Sequence, residues 1–133
     1  MRRSVASLRI QGDDLIPAEV SELLGCAPTT SQRKGETIIG RTTGAKRVAR
    51  TGHWHLRVAE QEPENLDGQI EEILAKLTGD LDTWRALRTA YRIDLFCGLF
   101  MEAGNEGLTI SPESLVALGQ RGIEFALDIY GPE

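Results

Sequence analysis

Aromatic side chains are scarce, at 5% of 133 residues, and there are only two cysteines. The first shortage removes the row of rings on which single-stranded nucleic acid would stack. Cys26 and Cys97 lie far apart and outside any metal-ligand spacing, which excludes a disulfide framework and a zinc knuckle; two buried thiols in a reducing, cytoplasmic setting are expected instead. Long apolar runs are missing too. The longest, "LFCGLFM" at 95–101, falls far short of the ~20 residues of a membrane span. The opening "MRRSVASLRI" has no apolar stretch ending in a cleavage site, so no export signal is expected. HExxH, CxxC and a third histidine are absent. "GRTTGAK" at 40–46 has the wrong spacing for a phosphate loop, and Ser31 and Ser111 lack the surroundings of a nucleophile elbow. No catalytic residue, metal or cofactor is assigned.

What is present is ordinary globular chemistry, 41% hydrophobic and 26% charged, at a length that fits one domain over residues 1–133. The net charge of −5 hides an asymmetry. Arg33, Lys34, Arg41, Lys46, Arg47 and Arg50 face Glu36 alone, which leaves that segment at +5 and the rest of the chain at −10. Residues 33–50 are therefore expected to form a basic hairpin on an acidic body, suited to phosphates or an acidic partner. The plainer expectation is a solvated hairpin whose arginines pair with the body's own carboxylates, and the overall acidity disfavours nucleic acid.

Period-two alternation of Ala6, Leu8 and Ile10 predicts a first strand over 4–11. Pro17 can start a helix with Val20, Leu23 and Leu24 inward and Gly25 as its stop. A short strand is expected at 37–41, a tip at "TTGAK" and a returning strand at 51–59. Leu66, Ile70, Ile73, Leu74 and Leu77 share a helix face; Asp80 can cap a short continuation carrying Leu81, Trp84 and Leu87. Residues 91–101 read as a central strand. Ser111 and Pro112 open a third helix with Leu115 and Leu118 inward, and 123–130 form a last strand alternating Ile123, Phe125, Leu127 and Ile129. Gly12, Pro17, Val20 and Leu23 recur at a constant interval as Gly107, Pro112, Leu115 and Leu118, which is compatible with an internal duplication. The order β-α-β-β-α-β-α-β predicts an α+β fold: a ferredoxin-like sandwich with an added αβ unit, a mostly antiparallel sheet of about five strands and helices on one face.

"KGE" in the first connection, "TGHW" at the start of a strand and the ending "ISPESLVALGQRGIEFALDIY" make the chain resemble a bacterial family of uncharacterised small proteins, the domain of unknown function 4279 family. The resemblance spans essentially the whole chain. It implies a structural likeness and carries no activity, although some members resemble immunity-type proteins in size.

"TGHWHLRVAE" at 51–60 holds both histidines. On a strand Trp54, Leu56 and Val58 share one face, so burial of the indole turns His53, His55 and Arg57 outward. Ser7, Arg9, Arg92, Asp94, Glu124, Asp128 and Tyr130 fall on outward positions by the same rule. Two imidazoles at i and i+2, about 6–7 Å apart at Cα, could share a metal if Asp94, Glu124 or Asp128 supplied a third ligand, or could do acid–base work beside a carboxylate. His53, His55, Arg57, Asp94 and Asp128 are therefore the candidate polar-face site, for which a small metal-dependent or acid–base enzyme is one reading. Anion or nucleic-acid binding by the basic hairpin is another. The preferred reading is a non-enzymatic binding module, with a protein partner or a second copy meeting an exposed sheet side or edge.

Overall fold

The computed structural model describes residues 1–132. Strand β1 (Arg3–Gly12) alternates partly exposed and buried positions, with Ala6, Leu8 and Ile10 inside, and runs up the middle of the sheet. Helix α1 (Pro17–Leu24) starts on Pro17 and stops where Gly25 takes the left-handed conformation. Then come β2 (Thr30–Gln32), β3 (Thr37–Ile39), β4 (Lys46–Val48) and β5 (Gly52–Arg57). Helix α2 (Leu66–Ala75) is capped by Asn65 and α3 (Leu81–Ala90) by Asp80; both cap side chains accept a hydrogen bond from a backbone N–H of the first turn. β6 (Arg92–Phe100), α4 (Pro112–Arg121) and β7 (Glu124–Tyr130) complete the chain. Ser111 caps α4, and Gly122 ends it in the left-handed region.

Five strands form one sheet in the order β2-β5-β1-β6-β7, in which only β6 and β7 are parallel. One face of it, carrying Leu8, Ile10, Trp54, Leu56, Ile93, Leu95 and Cys97, joins Val20, Leu24, Ile70, Ile73, Trp84, Leu87 and Leu118 from the helices in a single core. Trp54 is fully buried and its Nε1–H donates to Ser21 Oγ at 3.0 Å, so the indole pins β5 to α1. Gly52 begins β5 because the backbones crowd there: a Cβ would lie 2.8 Å from the carbonyl oxygen of Gly12. A mixed α+β fold with a mostly antiparallel five-stranded sheet and helices over one face is thus what the residues build.

Several local expectations need correction. The strand over 37–39 pairs with β4, not with 51–59, and this ribbon forms a second sheet of two strands. The basic segment is therefore a hairpin complete in itself, closed at its tip by a Gly40 N–H donating to Ala45 O and at its base by Gly35 N–H to Ala49 O. β5 instead pairs with β1 and with the short β2, which carries no apolar alternation to announce it. The segment after Asp80 is a full ten-residue helix rather than a short continuation. Leu23 and Leu115 point outward, each about half exposed, because Val20 with Leu24 and Leu118 with Ser114 already supply the buried faces of α1 and α4. In the two recurring segments the matched positions are consequently buried in opposite order: Val20 in and Leu23 out, Leu115 out and Leu118 in. Leu127 and Ile129 also remain exposed, since among the described residues no neighbouring strand flanks β7 on its outer side. Cys97 is buried, Cys26 only partly, and neither is bonded.

Candidate functional site

The uncovered face of the sheet has a fixed grid. Register sets Gln11 between His53 and Arg92 in one row, and in the next it runs His55, Arg9, Asp94, Glu124 across four strands. A third row runs Arg57, Ser7, Phe96. Asp128 pairs with Gly98, and Tyr130 with Phe100, further along. His53 and His55 are both half-buried and stack with ring centroids 4.0 Å apart and planes 11° from parallel.

The carboxylates named as possible partners are not brought to this pair. β1 lies between β5 and β6, which separates His55 from Asp94 by two strand spacings, roughly 10 Å. Arg9 occupies the gap and takes Asp94 for itself in a bidentate pair, Nε to Oδ1 at 2.8 Å and Nη2 to Oδ2 at 2.6 Å. That geometry is the strong form of a charge-assisted hydrogen bond. The same guanidinium lies over the Phe96 ring, 4.5 Å from its centroid. Asp128 is three strands from the histidines and accepts from the Tyr130 hydroxyl at 2.6 Å. Among the described residues no three His, Cys, Asp or Glu side chains converge as metal ligands would.

The electrostatics run against protonation of the imidazoles. Burial, then the neighbouring His53, then Arg9 hold His55 down to about 4. Burial and the Arg47 guanidinium of the hairpin lower His53, against a weaker upward pull from Glu36. His55 near neutral pH is thus an uncharged, stacked ring with no carboxylate to orient it as a general base. Cys97 is no nucleophile either: burial first, then Asp94, pushes its thiol up to about 12.

The basic hairpin supplies Lys34, Arg47 and Arg50, with Val48 and Ala49, to the lining of an open cleft of about 830 Å³. Lys34 is partnered by Asp13 at 3.1 Å, but Arg33, Arg41, Lys46, Arg47 and Arg50 make no ion pair among the described residues. The expected pairing with the body's carboxylates holds only for Lys34. A second cleft, of about 580 Å³, opens where α3, β6 and the α4–β7 turn meet; Arg88, Tyr91, Arg92, Gln11 and Glu124 line it beside the Arg9–Asp94 pair. Arg88 drapes over Gly122, whose missing side chain leaves room for it. Sequence alternation puts Arg9, Arg92, Asp94 and Glu124 on outward positions, but Arg88 and Tyr91 join them only once the helix and strand ends are placed.

A further open surface is the outer edge of β7. Among the described residues its backbone pairs with β6 on one side and with no strand on the other. Tyr130 O accepts from Met101 N–H at 3.0 Å, toward β6. Strand alternation therefore points the N–H and C=O groups of Phe125, Leu127 and Ile129 away from β6, into the open. Leu127, Ile129 and Tyr130 are 47%, 55% and 45% exposed, and Leu115 and Val116 are exposed on nearby α4.

These features define a class: an α+β protein with a helix-covered sheet, a polar face on which Arg9 and Asp94 pair with each other, and an outer strand with one free edge. Residues 2–132 match the family model described as "Domain of unknown function (DUF4279)", and the chain belongs to that family. Neither the curated proteins nor the solved structures return a match.

Proposed function

We propose that this chain is a non-enzymatic interaction module that holds a protein partner along the free edge of β7. The observation that carries the reading is the row of outward-facing backbone groups at Phe125, Leu127 and Ile129, flanked by exposed Leu127 and Ile129. An extended segment pairing there would satisfy those groups and cover the apolar side chains together, which is how strand addition gains both affinity and selectivity. The reading is further supported by the polar face, where Arg9 and Asp94 consume each other's charge and the His53–His55 stack is kept neutral. An immunity-type protein would be one case of such a module, and the two unpaired thiols suit a cytoplasmic setting. No helix among the described residues is long and apolar enough to cross a membrane.

The test uses isotope-labelled protein and a synthetic peptide with the sequence of Glu124–Tyr130 and a solubilising lysine tail. Amide shifts should concentrate on β7 and leave the β5 rows of His53 and His55 unmoved. Shifts centred on those rows would refute the reading. So would stoichiometric metal in tag-free protein that disappears in His55→Ala.

A further inference from the structure

The geometry points to a second copy of this chain as the occupant of the β7 edge, joined antiparallel about a twofold axis through Leu127. The inference rests on the interaction-module reading and adds the partner and the register.

Three observations select this occupant. The first is the symmetry of the free groups. Phe125, Leu127 and Ile129 all face the open edge, and Leu127 is the middle residue of Glu124–Tyr130. In an antiparallel ladder, residues directly opposite each other either exchange both backbone hydrogen bonds or exchange none. A twofold at Leu127 places Leu127 opposite the partner's Leu127 and Phe125 opposite the partner's Ile129. Every outward N–H and C=O of the strand then meets its complement, and all of β7 takes part. Moving the axis by one residue, onto a non-hydrogen-bonded centre, would set Glu124 opposite the partner's Asp128 or Asp128 opposite its own copy, and moving it by two would leave one end of the strand unpaired.

The second observation is charge. The register sets Glu124 opposite the partner's Tyr130, and Ala126 opposite the partner's Asp128. No two carboxylates stand directly opposite, which is the arrangement that would destabilise a strand pair. On the other side, Phe125, Leu127 and Ile129 continue the apolar face of the sheet into the same face of the partner. Ile129, 55% exposed in the single chain, lies beside the partner's Phe125.

The third observation is contrast between the two edges. β2 is three residues long and runs straight into Arg33 and Lys34, a short and charged edge of the kind that resists pairing. β7 has seven residues in unbroken register with β6, with no bulge, proline, lysine or arginine. Long, regular and unguarded edges are the ones that template another strand.

The decisive test follows from the symmetry. If position 127 faces its own copy, two like charges there repel and two unlike charges attract. Sedimentation velocity from about 1 to about 200 μM should show the wild-type chain shifting from one-chain to two-chain mass. Leu127→Lys and Leu127→Glu should each stay at one-chain mass, while an equimolar mixture of the two returns to two-chain mass. Circular dichroism melts check that both variants fold, as the half-exposed position allows. The inference is overturned if the wild type stays at one-chain mass throughout, if either charged variant still dimerises alone, or if the mixture does not recover. Should the peptide still bind β7 while the wild type stays single, only the choice of occupant fails. If neither peptide nor second copy binds, the interaction-module reading falls with it.

Discussion

Gln69 offers a test of how the fold is held, because among the described residues it is the one large polar side chain that is fully buried, 1% exposed. Its Oε1 accepts from the Ser4 hydroxyl at 2.6 Å, and its Nε2 donates to Ser4 O and to Ala59 O, each at 3.0 Å. Ser4 Oγ in turn accepts from Asn65 N–H at 3.0 Å. One amide therefore ties β1, the segment after β5 and the start of α2. Gln69→Leu preserves the volume but strips that amide. Ser4 O keeps a second donor in Gln61 N–H, so the groups left wanting are Ala59 O and the Ser4 hydroxyl proton. The Ser4 hydroxyl is fully buried and costs roughly 1–3 kcal/mol when orphaned, the carbonyl of exposed Ala59 adds roughly 1 for its lost hydrogen bond, and the added apolar burial returns roughly 1–2. The net expectation is a loss centred on about 1.5 kcal/mol, a sizeable part of the 5–15 kcal/mol that typically holds a domain together.

The assay is urea unfolding followed by the fluorescence of Trp54 and Trp84, both fully buried, with stability taken by linear extrapolation. Ser4→Ala and the double variant complete a cycle, in which the two changes should be less than additive by about 1 kcal/mol or more. A loss below roughly 0.5 kcal/mol for Gln69→Leu, the scale of an ordinary surface change, would refute the claim that this amide is a structural joint. Strict additivity in the cycle would refute the network itself.

Three further outcomes are expected. An unfolded imidazole takes its proton near 6.5 while folded His55 waits until about 4, so the unfolded chain binds more protons in that window and stability falls as pH drops from 6.5 to 4; screening at the half-buried ring limits the loss to roughly 1–2 kcal/mol. His55→Gln should flatten that limb in unfolding curves taken at each pH. Ser111→Ala removes the cap of α4 and the side-chain hydrogen bond from Ser111 to Asp67 Oδ1, leaving the backbone one, and should cost about 1–2 kcal/mol by the same unfolding assay. Changing Lys46 and Arg47 together to Gln should leave stability within about 0.5 kcal/mol, since both are exposed and unpaired among the described residues; a larger loss would show that the hairpin is held down by its charges.

Much of the fold is legible in short patterns. β1 and β5 can be read from alternation because one face is helix-covered and apolar, and the tryptophan between two histidines decides which face. Pro17, Ser111, Pro112, Gly25 and Gly122 mark helix ends through backbone chemistry that acts within a few residues. β2 and the β3–β4 ribbon were harder, for one reason: both sides of each are largely exposed, so no buried face imposes a pattern or a register. Leu23, Leu115, Leu127 and Ile129 show the limit of reading apolar as inward, since much of any folded surface is apolar as well.

The candidate site fails to be legible for a different reason. His53, His55, Arg57, Asp94 and Asp128 do share the polar side, as alternation requires, yet which of them meet depends on strand order. β1 falls between β5 and β6, and that single fact hands Asp94 to Arg9 instead of His55. The edge of β7 has the same character. "EFALDIY" alternates as a central strand would, and nothing in its seven letters says that one side has no neighbour. Side-chain period reports which face of a strand is dry, because that face is set locally by burial; the lateral neighbours are set by pairings between distant segments. Availability for a partner is a lateral property. It becomes visible only when the backbone groups are followed one by one to their acceptors, and on β7 alternate groups lead out of the molecule.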